Sequence, residues 1–454
     1  MRDIDMPKQA TTKTALASAL VLSLLAGCGG KGNGPNGTDE AGASSNPGKP
    51  ETATSGPAEV VFYSNSGLAP EQFNTRYGNK LREKFPNYTI KYIQQVGAGT
   101  RIAEMVTAKT PFDIYFANVG SFENEALQYG VQSDMTELAK THKLDLNRFD
   151  PSVISGVKSS SNGLYALPIH TDTMVLYYNK DIFDKFGVEY PKNGMTWDDM
   201  YALSKRLTRK DGDTPYIGYA PFPTYMFYMN PLSIPVMDEK NERPTINKDS
   251  RWRTFFQKLL IEPTEMPEVR AYLDNLKKNK SHIVNAFMKD RTTGMITYVS
   301  ALAPTWPNEM GAFNWDWVSA PTLKEQPGVG SQPYTFYFGI TNMASNKDAA
   351  MEVLKYMVSD EFQLSLAKMG YLPVVQSQDV KRALGQETAF KDKNWQAMFY
   401  NKMAPVPVKG IYENRVVGVY NGFAEQAMLG TLDVNTALRQ AEESTVVKLD
   451  EWKR

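Results

Sequence analysis

Residues 59–94, EVVFYSNSGLAPEQFNTRYGNKLREKFPNYTIKYIQ, change hydrophobic period twice. Glu59-Val-Val-Phe-Tyr-Ser64 is a short continuous apolar run, the pattern of a strand buried on both faces. From Pro70 to Phe85 the large apolar residues are Phe73, Tyr77, Leu81 and Phe85, and a spacing of four predicts one face of a helix. Tyr88 to Gln94 again reads as a strand. Working outward, a helix is expected near Thr100 to Ala108, a strand at Phe112 to Ala117, and a helix from Glu123 to Tyr129, with Ser121 as its cap and Gly130 as its stop. Strands alternating with helices at this interval imply right-handed crossovers and a parallel sheet covered on both faces.

The pattern resumes further on. Gly163-Leu-Tyr-Ala-Leu-Pro-Ile169 and Met174-Val-Leu-Tyr-Tyr178 read as strands, and Asp181 to Phe186 as a short helix closed by Gly187. Thr196 can cap the next helix with Asp199 answering from its first turn, and Met200, Leu203 and Leu207 give that helix an apolar stripe. Asp211 to about Pro244 shows no clean period. Trp252 to Leu260 and Glu268 to Lys278 read as helices, and Thr293 to Val299, Trp315 to Ala320 and Tyr334 to Ile340 as strands. Asp348 to Met369 is expected to be one long amphipathic helix stopped by Gly370, and Val434, Leu438 and Ala441 mark a last one. There is no internal repeat.

At the start of the chain, Arg2, Lys8 and Lys13 precede an apolar stretch, Ala15 to Ala26, that is too short for a permanent span, so residues 1–27 are expected to be a signal peptide. The stretch ends in Leu25-Ala26-Gly27-Cys28, which resembles the bacterial lipobox. Cys28 is the one cysteine in 454 residues, so it cannot form an intramolecular disulfide, and lipidation accounts for a lone thiol in an exported chain. Residues 28–58, poor in large apolar side chains, are expected to be a disordered tether between the lipid and the folded body. No later apolar run approaches a span, and the body is expected to be soluble.

Composition narrows the function. Fifty Lys and Arg balance fifty Asp and Glu, with no basic block, so nucleic acid is not an expected partner. Three histidines and one committed cysteine leave little material for a metal cluster or a Cys-His pair. HExxH, G-x-S-x-G and a P-loop are absent, and Gly97-Ala-Gly99 lacks the third glycine of a dinucleotide fingerprint. No cofactor, no metal and no catalytic residue is expected.

Four blocks, in order, carry a resemblance. They are Gly163-Leu-Tyr-Ala-Leu-Pro168 with Tyr178-Asn-Lys-Asp181, Phe186-Gly187, Pro191 and Thr196-Trp-Asp-Asp199; Ala286-Phe-Met-Lys-Asp290 with Gly294-Met295; Asn346-Lys-Asp-Ala-Ala350 through Tyr371-Leu-Pro373; and Gly430 through Leu438. Together they resemble the family 1 extracellular solute-binding proteins of bacterial ABC importers, whose best-known relatives bind maltose and other oligosaccharides. The resemblance implies an α/β, two-lobe periplasmic-binding-protein-like fold with multiple hinge crossings. It implies a first lobe of residues 59–169 plus 313–342, a second of 170–312 plus 343–454, and crossings near His170, Gly311 and Met343. It also implies a monomeric, membrane-anchored protein that takes a solute, expected to be an oligosaccharide, to the membrane subunits of an importer.

Site residues follow from the same resemblance. Asp172 matches a hinge-side acid that accepts sugar hydroxyl bonds in the maltose-binding relatives, a role suited to a carboxylate in a water-poor cleft; the competing reading is a loop Asp or cap. His170 could donate to the same ligand or simply pack in the hinge. Tyr225, Tyr298 and Trp306 are candidates to stack on sugar faces, against a reading as ordinary core or surface rings. Relatives place a stacking Trp where this chain has Ala301, so that role passes to Trp306 or is lost. In the first lobe, Asn65, Ser66 and Asn118 follow strands at the end where parallel sheets bind ligands, although loop Asn and Ser are also common turn formers. Two rivals remain open. An exported carbohydrate-active enzyme would need only two carboxylates, and a non-sugar solute such as ferric ion could use Tyr177, Tyr178 and Asp172, although adjacent strand residues face opposite ways.

Overall fold

The computed structural model describes residues 56–158, 163–238 and 240–454. The expected signal peptide, Cys28 and all but the last residues of the expected tether lie outside them. Twelve strands are present among the described residues: β1 (Ala58–Ser64), β2 (Tyr88–Gln94), β3 (Ile114–Asn118), β4 (Leu167–His170), β5 (Met174–Asn179), β6 (Arg209–Asp211), β7 (Thr214–Tyr219), β8 (Met237–Asp238), β9 (Arg243–Pro244), β10 (Thr293–Val299), β11 (Trp315–Ser319) and β12 (Phe336–Ile340). They form one sheet in the order β2-β1-β3-β12-β4, a second in the order β11-β5-β10-β7-β6, and the small hairpin β8-β9.

In the first sheet β1 runs parallel to β2 and β3, as the alternating pattern predicts, while β12 is antiparallel to β3 and β4. The helix from Pro70 to Lys84 buries Phe73, Tyr77, Leu81 and, at its end, Phe85. A repeat of four residues drifts by about 40° per step around an ideal α-helix. The π turn at Asn74–Gly78 winds more slowly and takes up part of that drift, which keeps the stripe on the sheet. Stacking of Phe73 on Tyr92 at 4.4 Å ties the helix to the sheet, and Phe116 on Phe338 at 4.5 Å ties β3 to β12 across the sheet's face.

Several local signals act as their chemistry requires. Thr196 and Asp199 form the reciprocal cap of helix Trp197–Leu207, and Gly187 ends helix Lys180–Phe186 in the left-handed conformation at φ 62°. Others differ. Ser121 does not cap the helix that follows β3: the Gly120 amide is taken instead by the Glu123 carboxylate at 2.8 Å, and the Ser121 hydroxyl accepts a bond from Asn414 Nδ2 at 2.9 Å. The helix expected over Asp348 to Met369 is two helices, Lys347–Met357 and Asp360–Lys368, because the Ser359 hydroxyl accepts from the Phe362 amide and starts a new one. The middle segment, without a clean period, contains the β6-β7 hairpin and helix Pro223–Tyr228.

The expected return to the first lobe is also narrower. Of the two strands in residues 313–342, β11 pairs with β5 in the second sheet and β12 alone joins the first. Beyond Met343 the chain does not leave the first lobe, because helix Lys347–Met357 packs on β1 and β12, and Asp360–Lys368 packs on β4. The chain reaches the second sheet again near Phe390, which meets Trp315, and Trp395, which meets Trp317 at 4.7 Å. The crossings therefore lie at Thr171–Thr173, between β11 and β12, and between helix Gln378–Arg382 and Phe390. Aromatic residues this large bury most area on whichever core admits them, and Trp315 and Trp317 are both almost fully buried in the second. No helix among the described residues is long and apolar enough to cross a membrane.

Candidate functional site

Two crossings run side by side and bond to each other. The Asp172 amide donates to Tyr334 O at 3.1 Å and the Tyr334 amide to Asp172 O at 2.9 Å, while Thr171 Oγ1 and Thr335 Oγ1 are 3.0 Å apart. This fixes Asp172 in the wall of the junction, 3% exposed. Ser300 Oγ donates to its carboxylate at 2.9 Å. Burial raises its pKa to about 6, against the opposing pull of Ser300, Arg76 and the Ala301 amide. An acid held near neutrality in this way can accept a hydroxyl when ionised or donate to one when protonated.

A run of rings crosses the junction beside it. Tyr77 Oη and His170 Nε2 are 2.7 Å apart, and His170 stacks on Phe336 at 4.4 Å. Phe336 meets Tyr334 at 6.3 Å, Tyr334 meets Tyr225 at 5.5 Å, Tyr225 meets Tyr298 at 4.8 Å, and Tyr298 meets Phe222 at 5.4 Å. Tyr77 and His170 belong to the first lobe, and Phe222, Tyr225 and Tyr298 to the second. Burial, reinforced by the Asp172 charge, pushes the Tyr225 hydroxyl up to about 12. His170 is held well below the usual histidine range by burial first and by Arg76 second, and its Nδ1 has no hydrogen-bond partner.

The structure thus brings Asp172, His170, Tyr225 and Tyr298 together. Asn118 stands beside them at the end of β3, opposite Phe336 in register. Asn65 and Ser66 follow β1; Ser66 is bonded to Ser64, and Asn65 helps, after Glu125's own burial has raised its pKa, to hold the Glu125 carboxylate down. Trp306, half-buried between helices Leu302–Thr305 and Pro307–Met310, is not part of the ring run. Cys28 lies outside the described residues. Tyr177 and Tyr178 do face opposite ways: Tyr177 Oη donates to Val299 O and Ser300 O, while Tyr178 packs on Phe183 and Tyr190. Among the described residues no group of three His, Cys, Asp or Glu is placed to hold a metal ion.

Sequence reading missed Tyr334, Phe336, Arg76 and a second contact between the lobes. Tyr334 and Phe336 fall in the strand expected over 334–340, but Tyr334 lies just before β12 and only the topology sets it against Asp172. The second contact joins the loop after β3 to the start of helix Glu413–Met428. Across it lie the Asn414–Ser121 bond and the buried ion pair Lys409–Glu413 at 2.7 Å, with Glu123 facing them from the first lobe. At Gly120, φ 85°, a Cβ would stand 2.9 Å from Asn414 Oδ1. Only glycine permits that approach.

A sequence profile of the family described as bacterial extracellular solute-binding protein matches residues 67–364. An uncharacterized ABC transporter extracellular-binding protein of Pyrococcus horikoshii is 29% identical over 208 residues, 44% of each chain. The arabinooligosaccharide-binding protein of Bacillus subtilis is 26% identical over 164 residues, 35% of this chain and 36% of that one. The chain spans less than half the length of these curated relatives. Among solved structures, an ABC substrate-binding protein from Listeria monocytogenes in complex with cycloalternan superposes with a TM-score of 0.65 at 18% identity, covering 87% of this chain and 99% of that one. The cyclic alpha-maltosyl-1,6-maltose binding protein of Arthrobacter globiformis gives 0.64 at 16% identity, covering 86% and 98%. At these identities the likeness is one of fold, and the fold is the two-lobe one.

Proposed function

The chain belongs to the family of bacterial extracellular solute-binding proteins, and from that premise we propose that it captures a carbohydrate, an oligosaccharide, between its lobes and delivers it unaltered to an ABC importer. One observation carries the reading: a buried carboxylate, Asp172, lies beside a run of rings contributed by both lobes at the crossing itself. Sugars present apolar CH faces that favour rings and hydroxyl edges that need placed polar partners. A site divided between lobes makes its full set of contacts only when they are together, so the solute stabilises that arrangement over any other. Cycloalternan, maltosyl-maltose and arabinooligosaccharide partners in the names of similar proteins agree with this class of solute. In this reading residues 1–27 direct export, Cys28 carries lipid, and residues 28–58 tether a monomeric body to the outer face of the cell membrane.

Thermal unfolding against a panel of saccharides tests the binding. An oligosaccharide should raise the midpoint; if every saccharide leaves it unchanged while an iron chelate or a peptide raises it, the reading fails. Mass spectrometry of solute recovered after long incubation should return it intact, and cleavage products would favour an enzyme. Asp172→Ala should weaken calorimetric affinity by about 10- to 100-fold, the worth of a charge-assisted hydrogen bond in a closed site. Cys28→Ser should abolish lipid labelling and release the protein from membranes.

A further inference from the structure

The ring run ends on the first-lobe side at Arg76, and Arg76 lines an open cavity of about 380 Å³ to which both lobes contribute. Pro304 and Thr305 of the second lobe form part of the wall facing Arg76, and Tyr371 forms part of the remainder. The volume lies within the range of small-molecule sites.

Arg76 meets no carboxylate within ion-pair distance among the described residues, whereas Arg148, Arg251, Arg382 and Arg439 each meet one. Its guanidinium lies over the Tyr371 ring at 4.2 Å and is 5.7 Å from the centre of Tyr77. The Arg76 Nε atom is buried with no hydrogen-bond partner. Cation–π contact uses the face of a guanidinium, and the in-plane N–H groups are the ones that read carboxylate and phosphate; here Nε–H has no acceptor. A donor left bare in a buried position is costly unless something brings an acceptor. Two acids also line the cavity, and neither fills that role: Glu71 is exposed to solvent, and Glu387 is paired with Lys368 at 3.0 Å.

We propose that this cavity is an anion subsite of the cleft, in which Arg76, held over the Tyr371 ring, takes a carboxylate or phosphate carried by the solute. The inference rests on the binding reading above and deepens it: the solute is an acidic saccharide. Thr75 and Thr305 line the same space from opposite lobes. The planar fork would take two oxygens of one group.

Calorimetry on the full-length chain in detergent, with defined probes, tests the subsite. A tri-galacturonide, its methyl ester and a maltotriose phosphate are compared with neutral maltotriose. The acid should bind at least tenfold more tightly than its own ester, a comparison that needs no substitution, and tighter binding of the uronide or of the phosphate identifies the source of the charge. Arg76→Gln, with its fold checked by urea unfolding, should bring the acid-to-ester ratio to about one, while Arg76→Lys should keep part of it. Equal affinity for acid and ester in the wild-type chain, or an unchanged ratio in Arg76→Gln, overturns the subsite. Neutral sugars binding where acidic ones fail overturns it while leaving the carbohydrate reading standing. Failure of every saccharide overturns both.

Discussion

Two of the contacts between the lobes are built from opposite materials. At the two crossings that run side by side the contact is backbone ladder, paired hydroxyls and rings around the buried acid Asp172. At the loop after β3 the contact is a cluster of ionisable groups, Glu123, Lys409 and Glu413, each no more than 3% exposed. The first place is covalently continuous and can flex but never part. The second is held by no chain and must rewet its charges if the lobes separate. Burying two carboxylates and one ammonium is expensive unless the set is complete, so the second contact is the one whose strength depends on composition, while the first depends on shape.

Substitutions should divide along the same line. The largest effect is expected for Lys409→Met, which leaves Glu413 and Glu123 buried without their cation. Urea unfolding should show a loss of about 3–5 kcal/mol, and a loss below about 1 kcal/mol would mean that water already reaches the cluster. Next comes Glu123. Burial raises its pKa to about 7, more than the Gly120 amide and Lys409 hold it down, so the folded chain binds a proton that the unfolded chain gives up near its ordinary carboxylate value. That contribution is complete below about pH 4.5 and is withdrawn as pH rises to 7. Wild type should therefore lose on the order of 2–3 kcal/mol relative to Glu123→Gln between pH 4.5 and 8, and parallel pH profiles would break the assignment. His170 works in the opposite sense, since its depressed pKa lends stability above about 6.5 that is lost toward acid, but it is common to both chains and cancels in the comparison.

Smaller effects sharpen the contrast. Ser121→Ala removes the acceptor of the neutral bond to Asn414 and should cost about 1 kcal/mol in the same urea assay. Replacing both hydroxyls of the crossing pair, Thr171→Val with Thr335→Val, removes donor and acceptor together and should cost less than that. A crossing pair more sensitive than Lys409 would reverse the distinction between the two contacts.

Most of the fold was readable because its signals are local. The change of period in residues 59–94, the Thr196–Asp199 cap and the Gly187 stop each depend on neighbours within a few positions. Asp172 was named from the family resemblance and His170 from its nearness to Asp172, and in the structure both lie near the run of rings that contains Tyr225 and Tyr298. What was not readable depends on pairing between distant segments. Tyr334 and Phe336 were read as strand residues, yet their position beside Asp172 comes from β12 lying between β3 and β4. Trp315 to Ala320 was read correctly as a strand and assigned to the wrong sheet, because hydrophobic period reports burial and not the partner. Arg76 was hidden between Phe73 and Tyr77 in a helix whose apolar stripe drew the reading, and Glu123, Lys409 and Glu413 gave no sequence sign of sharing one buried space.

The position of β12 also sets a schedule. β4 has no neighbour in its sheet except β12, and β12 is synthesised only after β5 to β11 and the helices among them. Until then β3 has one open edge, β4 has none of its strand hydrogen bonds, and the first lobe has an unfilled centre. Such a late, long-range pairing delays completion of the native lobe.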